Sequence, residues 1–357
     1  MVGPMHAFAQ LLSQRRPLLI LAPLASLSHR AMRELIIEQN GCNLFFTEMI
    51  SAEALVHGSS YREWYIDAAP LAERVIFQLV GSDHQVILSA VDFLLEHFSR
   101  LESAGGGEAW AGIDINMGCS APEMVRKGAG VHWMSQAESA WRLIEAIRPK
   151  IDSQHSLSVK MRIGEHEDFE QLRIFAQGLA TAGCDFLTLH PRLRGDPWGR
   201  PARQAWFGRL AAELPIPLIA NGDIRNRESL LALGDSWQAN GSGQDWPAGI
   251  MVGRAAIRAP WIFKRFKEII DEKQLEPNPA RDLLAVALRF HELLELHQPA
   301  DFWLTRAKRF YAYFCQNLQF GHRIASTIQN VASYPATSKL FSDYLSEQSS
   351  ERFFSEP

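Results

Sequence analysis

Cysteine is scarce in this sequence. Only four of the 357 residues are cysteines, and no two of them form a CxxC pair. A disulfide framework and a cysteine-based zinc site are therefore not indicated, and such sparse cysteines are typical of proteins from a reducing compartment. We predict a cytoplasmic protein without a metal site.

Long hydrophobic runs are also lacking. The apolar stretch near the start, PLLILAPLASL, is short, contains two prolines and is followed by charged residues. A membrane span needs about 20 predominantly apolar residues, so we interpret this stretch as a buried strand and not as a signal peptide or anchor. No membrane partner is predicted.

Neither sign of charge dominates. The 36 Lys and Arg residues face 40 Asp and Glu residues, which gives a formal net charge of −4. Bulk attraction to nucleic acid is therefore not indicated, and any binding of RNA must depend on a local basic patch.

The chain of 357 residues is longer than most proteins that have a single hydrophobic core. A barrel of about 250 residues followed by a small second domain would fit this length.

Eight short apolar runs recur along the chain, separated by amphipathic stretches such as SAWRLIEAIRPK. Each run is apolar enough to be buried on both faces, which favours a closed parallel (β/α)8 TIM barrel over residues 1–272. A doubly wound open sheet is the alternative, but no GxGxxG turn follows the first run. The runs occupy residues 17–23, 44–50, 75–80, 112–118, 157–163, 186–192, 217–223 and 249–255.

The last part of the chain has a different pattern. Residues 273–282, KQLEPNPARD, form a proline-rich and charged stretch that we interpret as a linker. The segments LLAVALRFHELLELH and RAKRFYAYFCQNL follow, with apolar residues at helical spacing and no clear strand up to Pro357. Amphipathic helices must bury their apolar faces, so we predict a small all-helical domain over residues 283–357.

Polar residues stand at the ends of the predicted strands. In a barrel these ends converge on one mouth, and buried polar groups are costly without partners. The pattern therefore predicts a ligand site at the mouth, with these members: Pro23, Leu24, Glu48, Gln78, Asn116, Cys119, Lys160, Arg162, His190, Arg192, Asn221, Gly222, Asp223, Gly253 and Arg254.

The last two strand ends suggest a phosphate. Backbone amides at Gly222 and Gly253 are suited to cradle a phosphate, and Arg254 adds a cationic donor. Lys160 supplies a cation for the anionic edge of a ring, while Gln78 and Asn116 supply amides for its heteroatoms. This combination suggests flavin mononucleotide (FMN), although a sugar phosphate would satisfy the phosphate end equally well.

Eight motifs then resemble one family, in order and in spacing. They are LAPLASLSHRAMR, TEMISAEAL, FQLVGSD, INMGC, VKMRIG, LTLHPRLR, IANGDI and IMVGRAAIRAPWIF. From Pro17 to Phe263 the sequence resembles the tRNA-dihydrouridine synthases. The resemblance implies an FMN-dependent TIM barrel followed by a helical RNA-binding domain, which reduces the C5–C6 double bond of uridines in tRNA with NADPH or NADH as reductant.

The resemblance also implies site residues, carried over by position. Cys119 falls where the family has its general acid, and Asn116 is placed to hold the uracil edge. From the residues themselves we expect Arg192 and Arg194 to contact the RNA, and we expect a monomer. The residues implied to hold FMN are Pro23, Leu24, Ala25, Gln78, Lys160, His190, Asn221, Gly222, Asp223, Gly253 and Arg254.

Cys119 has two interpretations. A thiol is mostly protonated at neutral pH, yet it is acidic enough to protonate an enolate carbon such as uracil C5. Alternatively, Cys119 is a small buried apolar residue, which is the commonest role of a lone cysteine. Its place in a loop after a polar strand end favours catalysis.

Two other functions remain open at this point. One is a flavin oxidoreductase acting on a free small molecule, such as a dihydroorotate-type substrate. The other is a non-catalytic RNA-binding flavoprotein, because Ser120 follows the cysteine where the family usually has proline.

Overall fold

The computed structural model describes residues 17–103, 110–197, 199–240, 245–272 and 280–354. By their contacts the residues form two compact units. Of the described residues, the first unit takes in those from 17 to 23 and from 43 to 252, and the second takes in those from 24 to 42 and from 253 to 354. Most of the predicted linker, residues 273–279, lies outside the described residues, so the domain boundaries at residues 272 and 283 stay a prediction.

A closed parallel barrel forms the centre of the first unit. Strand β1 pairs with both β2 and β9, β2 pairs with β4, and the order then runs from β4 through β9, while β3 adds to β4. The strands of this described part are β1 (Leu18–Leu21), β2 (Leu44–Phe46), β3 (Ile50–Ser51), β4 (Val75–Val80), β5 (Gly112–Met117), β6 (Ser156–Met161), β7 (Phe186–Leu189), β8 (Leu218–Asn221) and β9 (Gly249–Val252).

Each of the eight apolar runs coincides with a barrel strand to within a few residues, so the prediction of a TIM barrel is confirmed. The run at residues 75–80 coincides with β4, and the run at residues 44–50 contains β2 and the first residue of β3. The open-sheet alternative is wrong because β9 returns to β1. Strands that are apolar on both sides are stable where both faces of the sheet are covered. Closure into a barrel also leaves no exposed edge strand.

The register of the strands brings polar side chains together in a barrel that is otherwise apolar. Apolar side chains such as Ile20, Phe46 and Ile76 form a buried cluster. The pairing of β4, β5 and β6 aligns Gln78, Asp114 and Ser158 in one row, and the pairing of β5, β6 and β7 aligns Asn116, Lys160 and Thr188 in the next. Alternate residues of a strand share a face, so both rows lie on one side of the sheet.

The helices are divided between the two units. Helix α1 (Arg30–Glu38) belongs to the second unit. The helices of the first unit are α2 (Ala52–Val56), α3 (Arg62–Tyr65), α4 (His84–Ser103), α5 (Pro122–Arg126), α6 (Ala137–Ile147), α7 (Phe169–Thr181), α8 (Ala205–Ala211) and α9 (Arg227–Ala239), and the later helices of the second are α10 (Arg254–Arg258), α11 (Ile262–Ile270), α12 (Leu283–His297), α13 (Ala300–Phe314), α14 (Gly321–Gln329) and α15 (Tyr334–Glu347).

Aromatic side chains form the core of the second unit. The rings of Phe290 and Phe310 stack with centroids 4.0 Å apart, and Phe310 also stacks on Phe314. Helix α12 has the bounds of the predicted segment LLAVALRFHELLELH, so the predicted helical C-terminal region is confirmed. Among the described residues, no helix has both the length and the apolar character that crossing a membrane requires.

Two short strands in the second unit were not expected. Strand β10 (Arg281–Asp282) pairs antiparallel with β11 (Phe353–Phe354). Two residues are too few to show an alternating pattern in the sequence. The pairing is supported by Asp282, whose carboxylate accepts hydrogen bonds from the amides of Leu284 and Ala285 at the start of α12 and from Arg352 beside β11.

We expect Asp282→Ala to lower the free energy of unfolding by about 1 kcal/mol, as for other lost N-cap residues. The hydrogen bond from Arg352 and the α12 amides hold the pKa of Asp282 below its ordinary value. Because this pKa is lower in the folded than in the unfolded state, the ionised carboxylate stabilises the fold at pH values above the unfolded-state pKa. This contribution to the free energy of unfolding is lost as the pH falls through the folded-state pKa.

Urea unfolding followed by circular dichroism at neutral pH and at pH about 3 measures the effect. The difference between wild type and Asp282→Ala should shrink at the acid pH. Asp282→Asn is the matched control, since it keeps a capping oxygen and loses only the charge. A difference that is equally large at both pH values would contradict the ionic contribution.

Candidate active site

A cavity of about 450 Å³ opens at the carboxyl ends of the barrel strands. Its size falls within the range of roughly 300–1,000 Å³ that is usual for small-molecule sites. Residues that follow β1, β5, β6 and β7 form its wall. Eight of the residues predicted from the sequence are among them: Pro23, Asn116, Cys119, Lys160, Arg162, His190, Arg192 and Arg194.

Cys119 is fixed at both its amide and its carbonyl group. Asn116 Oδ1 accepts hydrogen bonds from the amides of Gly118 (3.2 Å) and Cys119 (2.9 Å). The chain then returns, and the amide of Val131 donates to the Cys119 carbonyl oxygen at 2.9 Å. Cys119 is partly exposed on the cavity wall, whereas Cys42, Cys184 and Cys315 are buried. The structure therefore presents this one of the four thiols to the cavity.

Cationic side chains form the wall beside Cys119. Burial, and then the charge of Arg162, lower the pKa of Lys160 to about 8, although the negative charge of Asp114 acts in the opposite direction. Burial and Arg192 likewise lower the pKa of Arg162. Positive charge at a partly buried position interacts more strongly with negative charge on a ligand than it would in bulk water. The wall is therefore suited to an anionic ring or to charge that develops in a reaction.

Arg192 forms an ion pair with Asp223. Arg192 Nη2 lies 2.8 Å from each carboxylate oxygen of Asp223, and the Ala202 amide donates to the same carboxylate at 2.7 Å. Burial alone would raise the pKa of Asp223, but Arg192 and the Ala202 amide lower it below its ordinary value. Both Arg192 and Asp223 were predicted to contact ligands, and the structure shows that they also hold each other.

The other predicted residues lie behind the wall or outside the first unit. Gln78 is fully buried beneath Asn116, and Asn221 Nδ2 donates to the Met251 carbonyl oxygen at 2.8 Å. A side chain at Gly222 would begin only 2.7 Å from His190 Cδ2, so glycine is needed there. Leu24, Ala25, Gly253 and Arg254 belong to the second unit.

Arg162, which was predicted from its place at a strand end, lines the cavity and donates to the Leu193 carbonyl oxygen at 3.1 Å. One part of the site, Asp114, was missed in the sequence-based set. Asp114 lies two residues before Asn116, is fully buried, and accepts hydrogen bonds from Gln78 and Ser158. The signal for Asp114 was available, because a carboxylate inside the apolar run GIDINMG must have partners.

The residues on the wall fit a flavin ring. Such a ring has carbonyl oxygens and an edge that becomes anionic on reduction, and Asn116, Lys160 and His190 offer amide, ammonium and imidazole groups in one cavity. The described residues contain no group of three or more His, Cys, Asp or Glu side chains that could hold a metal ion.

Comparison with known proteins assigns the family. The model of the dihydrouridine synthase family matches residues 20–343, which is most of the chain. The chain belongs to the dihydrouridine synthase family. The family that was predicted from eight motifs is confirmed, and with it the prediction that the protein is an oxidoreductase.

Individual dihydrouridine synthases match over most of their length. A probable tRNA-dihydrouridine synthase of Helicobacter pylori is 30% identical over 246 residues, which are 69% of this chain and 68% of that protein. A tRNA-dihydrouridine(16) synthase of Cupriavidus necator is 25% identical over 311 residues, which are 82% of this chain and 88% of that protein. A solved old yellow enzyme homologue of Zymomonas mobilis has 13% identity and a TM-score of 0.47, and its match covers 75% of this chain and 91% of that chain.

Proposed function

We propose that this dihydrouridine synthase reduces the C5–C6 double bond of a uridine in tRNA, with FMN as cofactor and NADPH or NADH as reductant. The observation that carries the proposal is the position of Cys119. Its thiol shares one cavity with Asn116 and Lys160, at the mouth of a barrel whose sequence belongs to this family. The relatives named above are tRNA-dihydrouridine synthases, which supports tRNA as the substrate.

Lys160 and His190 are proposed to hold the cofactor ring. FMN, when bound and reduced, supplies the hydride that is added to C6 of the uracil. The ammonium of Lys160 stabilises negative charge on the ring edge, and the partial burial of Lys160 strengthens this interaction. Asn221, Gly222, Asp223, Gly253 and Arg254 remain the proposed residues for the rest of the cofactor.

Cys119 is proposed to give its Sγ proton to uracil C5. Once hydride has reached C6, negative charge develops toward C5 and O4, and a proton must be delivered to C5. The thiol is a suitable donor because the two hydrogen bonds of its backbone hold it on the cavity wall. Asn116 would bind the uracil edge with its amide, and Arg162 would stabilise negative charge on the uracil oxygens.

Arg194 is the proposed RNA contact at the mouth of the barrel. A uridine in folded RNA must leave its stack, which costs a few kcal/mol and must be offset by contacts to the protein. Arg194 is exposed and pairs with Glu165, an exposed partner that a phosphate could replace. Arg192, which is 4% exposed, would act chiefly by holding Asp223.

Helix α13 is the proposed RNA contact of the helical region. Its aromatic residues Phe310 and Phe314 are fully buried and Arg306 is 2% exposed, so these three side chains belong to the core. Arg309 is exposed and Lys308 is partly exposed. These two residues are therefore the proposed phosphate contacts of this helix.

Nucleoside mass spectrometry of tRNA tests the function. Deletion of the gene should remove dihydrouridine from one tRNA position, and a wild-type copy should restore it. Mapping of the lost residue, at position 16 or elsewhere, would identify the target. Dihydrouridine that is unchanged at every tRNA position after deletion would contradict the proposal.

Purification provides an independent test of the cofactor. The protein should be yellow, with the absorbance of oxidised flavin, and the released flavin should be FMN by chromatography. A colourless protein that takes up no added FMN would contradict a flavin enzyme. A yellow protein that oxidises free dihydroorotate, but does not act on tRNA, would favour the small-molecule alternative.

A further inference from the structure

A chain of hydrogen bonds connects the barrel interior to the loop of Cys119. Ser158 Oγ and Gln78 Nε2 each donate to the Asp114 carboxylate at 2.7 Å. Gln78 Oε1 accepts from Asn116 Nδ2 at 2.8 Å. Asn116 Oδ1 in turn accepts from the backbone amides of Gly118 and Cys119.

We infer that Asp114 is a positioning residue, which fixes the direction of the Gln78 and Asn116 amides and thereby holds the loop of Cys119. The inference deepens the proposed function, because it rests on the proposed role of Cys119. Asp114 itself is 0% exposed and does not line the cavity, so it acts only through its neighbours.

Asp114 at one end of the hydrogen-bond chain and the backbone amides at its other end require the same orientation of the Gln78 and Asn116 side-chain amides. An ionised carboxylate only accepts hydrogen bonds, and a backbone N–H only donates them. Asp114 therefore requires the NH₂ group of Gln78, which leaves Gln78 Oε1 for Asn116. The amides of Gly118 and Cys119 require the oxygen of Asn116, which leaves its NH₂ group for Gln78. Reversal of either amide would bring two donors or two acceptors together, which is costly in a buried site.

Asp114 is suited to this role at neutral pH. Burial raises the pKa of Asp114 to about 6, although the hydrogen bonds from Ser158 and Gln78 and the charge of Lys160 lower it. The group is then mostly ionised at pH 7 and acts as an acceptor. The geometry alone already defines the chain, since each of its three side-chain links is 2.8 Å or shorter.

The orientation of the side-chain amides also limits the hydrogen bonds that Asn116 can make with a ligand. Its Oδ1 already accepts two hydrogen bonds, which uses both lone pairs. Its NH₂ group has donated one hydrogen to Gln78 and has one left. Asn116 must therefore bind its ligand as a donor, which suits a carbonyl oxygen of a pyrimidine ring.

A charge swap between positions 78 and 114 tests the inference. In Asp114→Asn the new amide can donate toward Gln78, so the direction is no longer imposed. In Gln78→Glu two carboxylates face each other. The double variant Asp114→Asn with Gln78→Glu restores the direction, because the amide at 114 donates to the carboxylate at 78, which accepts from Asn116.

The measurement is the rate at which iodoacetamide alkylates Cys119 in the purified protein, followed by mass spectrometry. Cys42, Cys184 and Cys315 are buried and serve as internal references. Each single variant should change the rate by on the order of tenfold, the factor that corresponds to one buried hydrogen bond. The double variant should return to within about twofold of wild type.

The control is Ser158→Ala, which removes a donor to Asp114 but leaves the direction of the chain intact. It should alkylate at nearly the wild-type rate. A folded Asp114→Asn with the wild-type rate, or a double variant that does not recover, would overturn the inference. If the single variants do not fold, the double variant decides: folding with the wild-type rate supports the inference, and failure to fold overturns it.

The assay needs neither RNA nor reductant, so its outcome is independent of the tRNA test. Recovery in the double variant together with unchanged dihydrouridine in deleted cells would keep the positioning role and remove the proposed substrate. Loss of dihydrouridine in deleted cells without recovery in the double variant would keep the function and remove the role of Asp114.

Discussion

Cys119→Ala is expected to abolish the formation of dihydrouridine while flavin stays bound. General acid catalysis typically contributes a factor of about 10² to 10⁴, so the rate of product formation should fall by at least two orders of magnitude. The proposed cofactor contacts, such as Lys160 and His190, are unaffected by this change. The visible flavin spectrum and the FMN content after purification should therefore match those of wild type.

A single-turnover reaction with tRNA is the measurement for Cys119→Ala. The protein is reduced, mixed with tRNA that lacks dihydrouridine, and the product is quantified by nucleoside mass spectrometry. Ser120→Ala is the matched control, because Ser120 follows Cys119 in the same loop and also lines the cavity. Normal turnover in Cys119→Ala would show that the proton comes from another group and would remove the proposed role.

The barrel could be predicted because its signal is local. The run VIFQLV is apolar at every position, and β4 has the same bounds, 75–80. The helical segment at residues 283–297 was equally clear, because its apolar residues recur at helical spacing and the side chain of Asp282 caps its first turn. Patterns of this kind depend on neighbours in the sequence, and so they can be read without knowing the fold.

The hydrogen-bond partners within the site could not be predicted in the same way. Gln78 was expected to face a cofactor, but its side chain joins Asp114 to Asn116. Gln78 and Asp114 are 36 positions apart, and only the register of β4 against β5 brings them together. Likewise, Arg192 reaches Asp223 across 31 positions. Residue types at strand ends predict where a site lies, whereas the register decides which residues bind one another.

Gly130→Ala is expected to remove most activity, although residue 130 does not line the cavity. A β-carbon at this position would overlap the carbonyl oxygen of Cys119 and lie 3.0 Å from the Cys119 β-carbon. The backbone has a φ of +64°, so the alanine is also strained. The loop of Cys119 must shift to make room, and a displacement of about 1 Å at a reacting group can cost 100-fold in rate.

Gly128→Ala separates the two effects of this substitution. Gly128 has a similar φ of +76°, but a β-carbon there would meet only ordinary contacts, 3.6 Å from Ser82 and 3.7 Å from His132. Both variants should lose stability, by about 1–2 kcal/mol for the left-handed backbone. Thermal unfolding should therefore occur at a lower temperature in both proteins, and at the lowest in Gly130→Ala, where the loop must also shift. Dihydrouridine formation should fall only in Gly130→Ala. Equal losses of activity in both would mean that backbone strain, and not the position of the Cys119 thiol, limits the reaction.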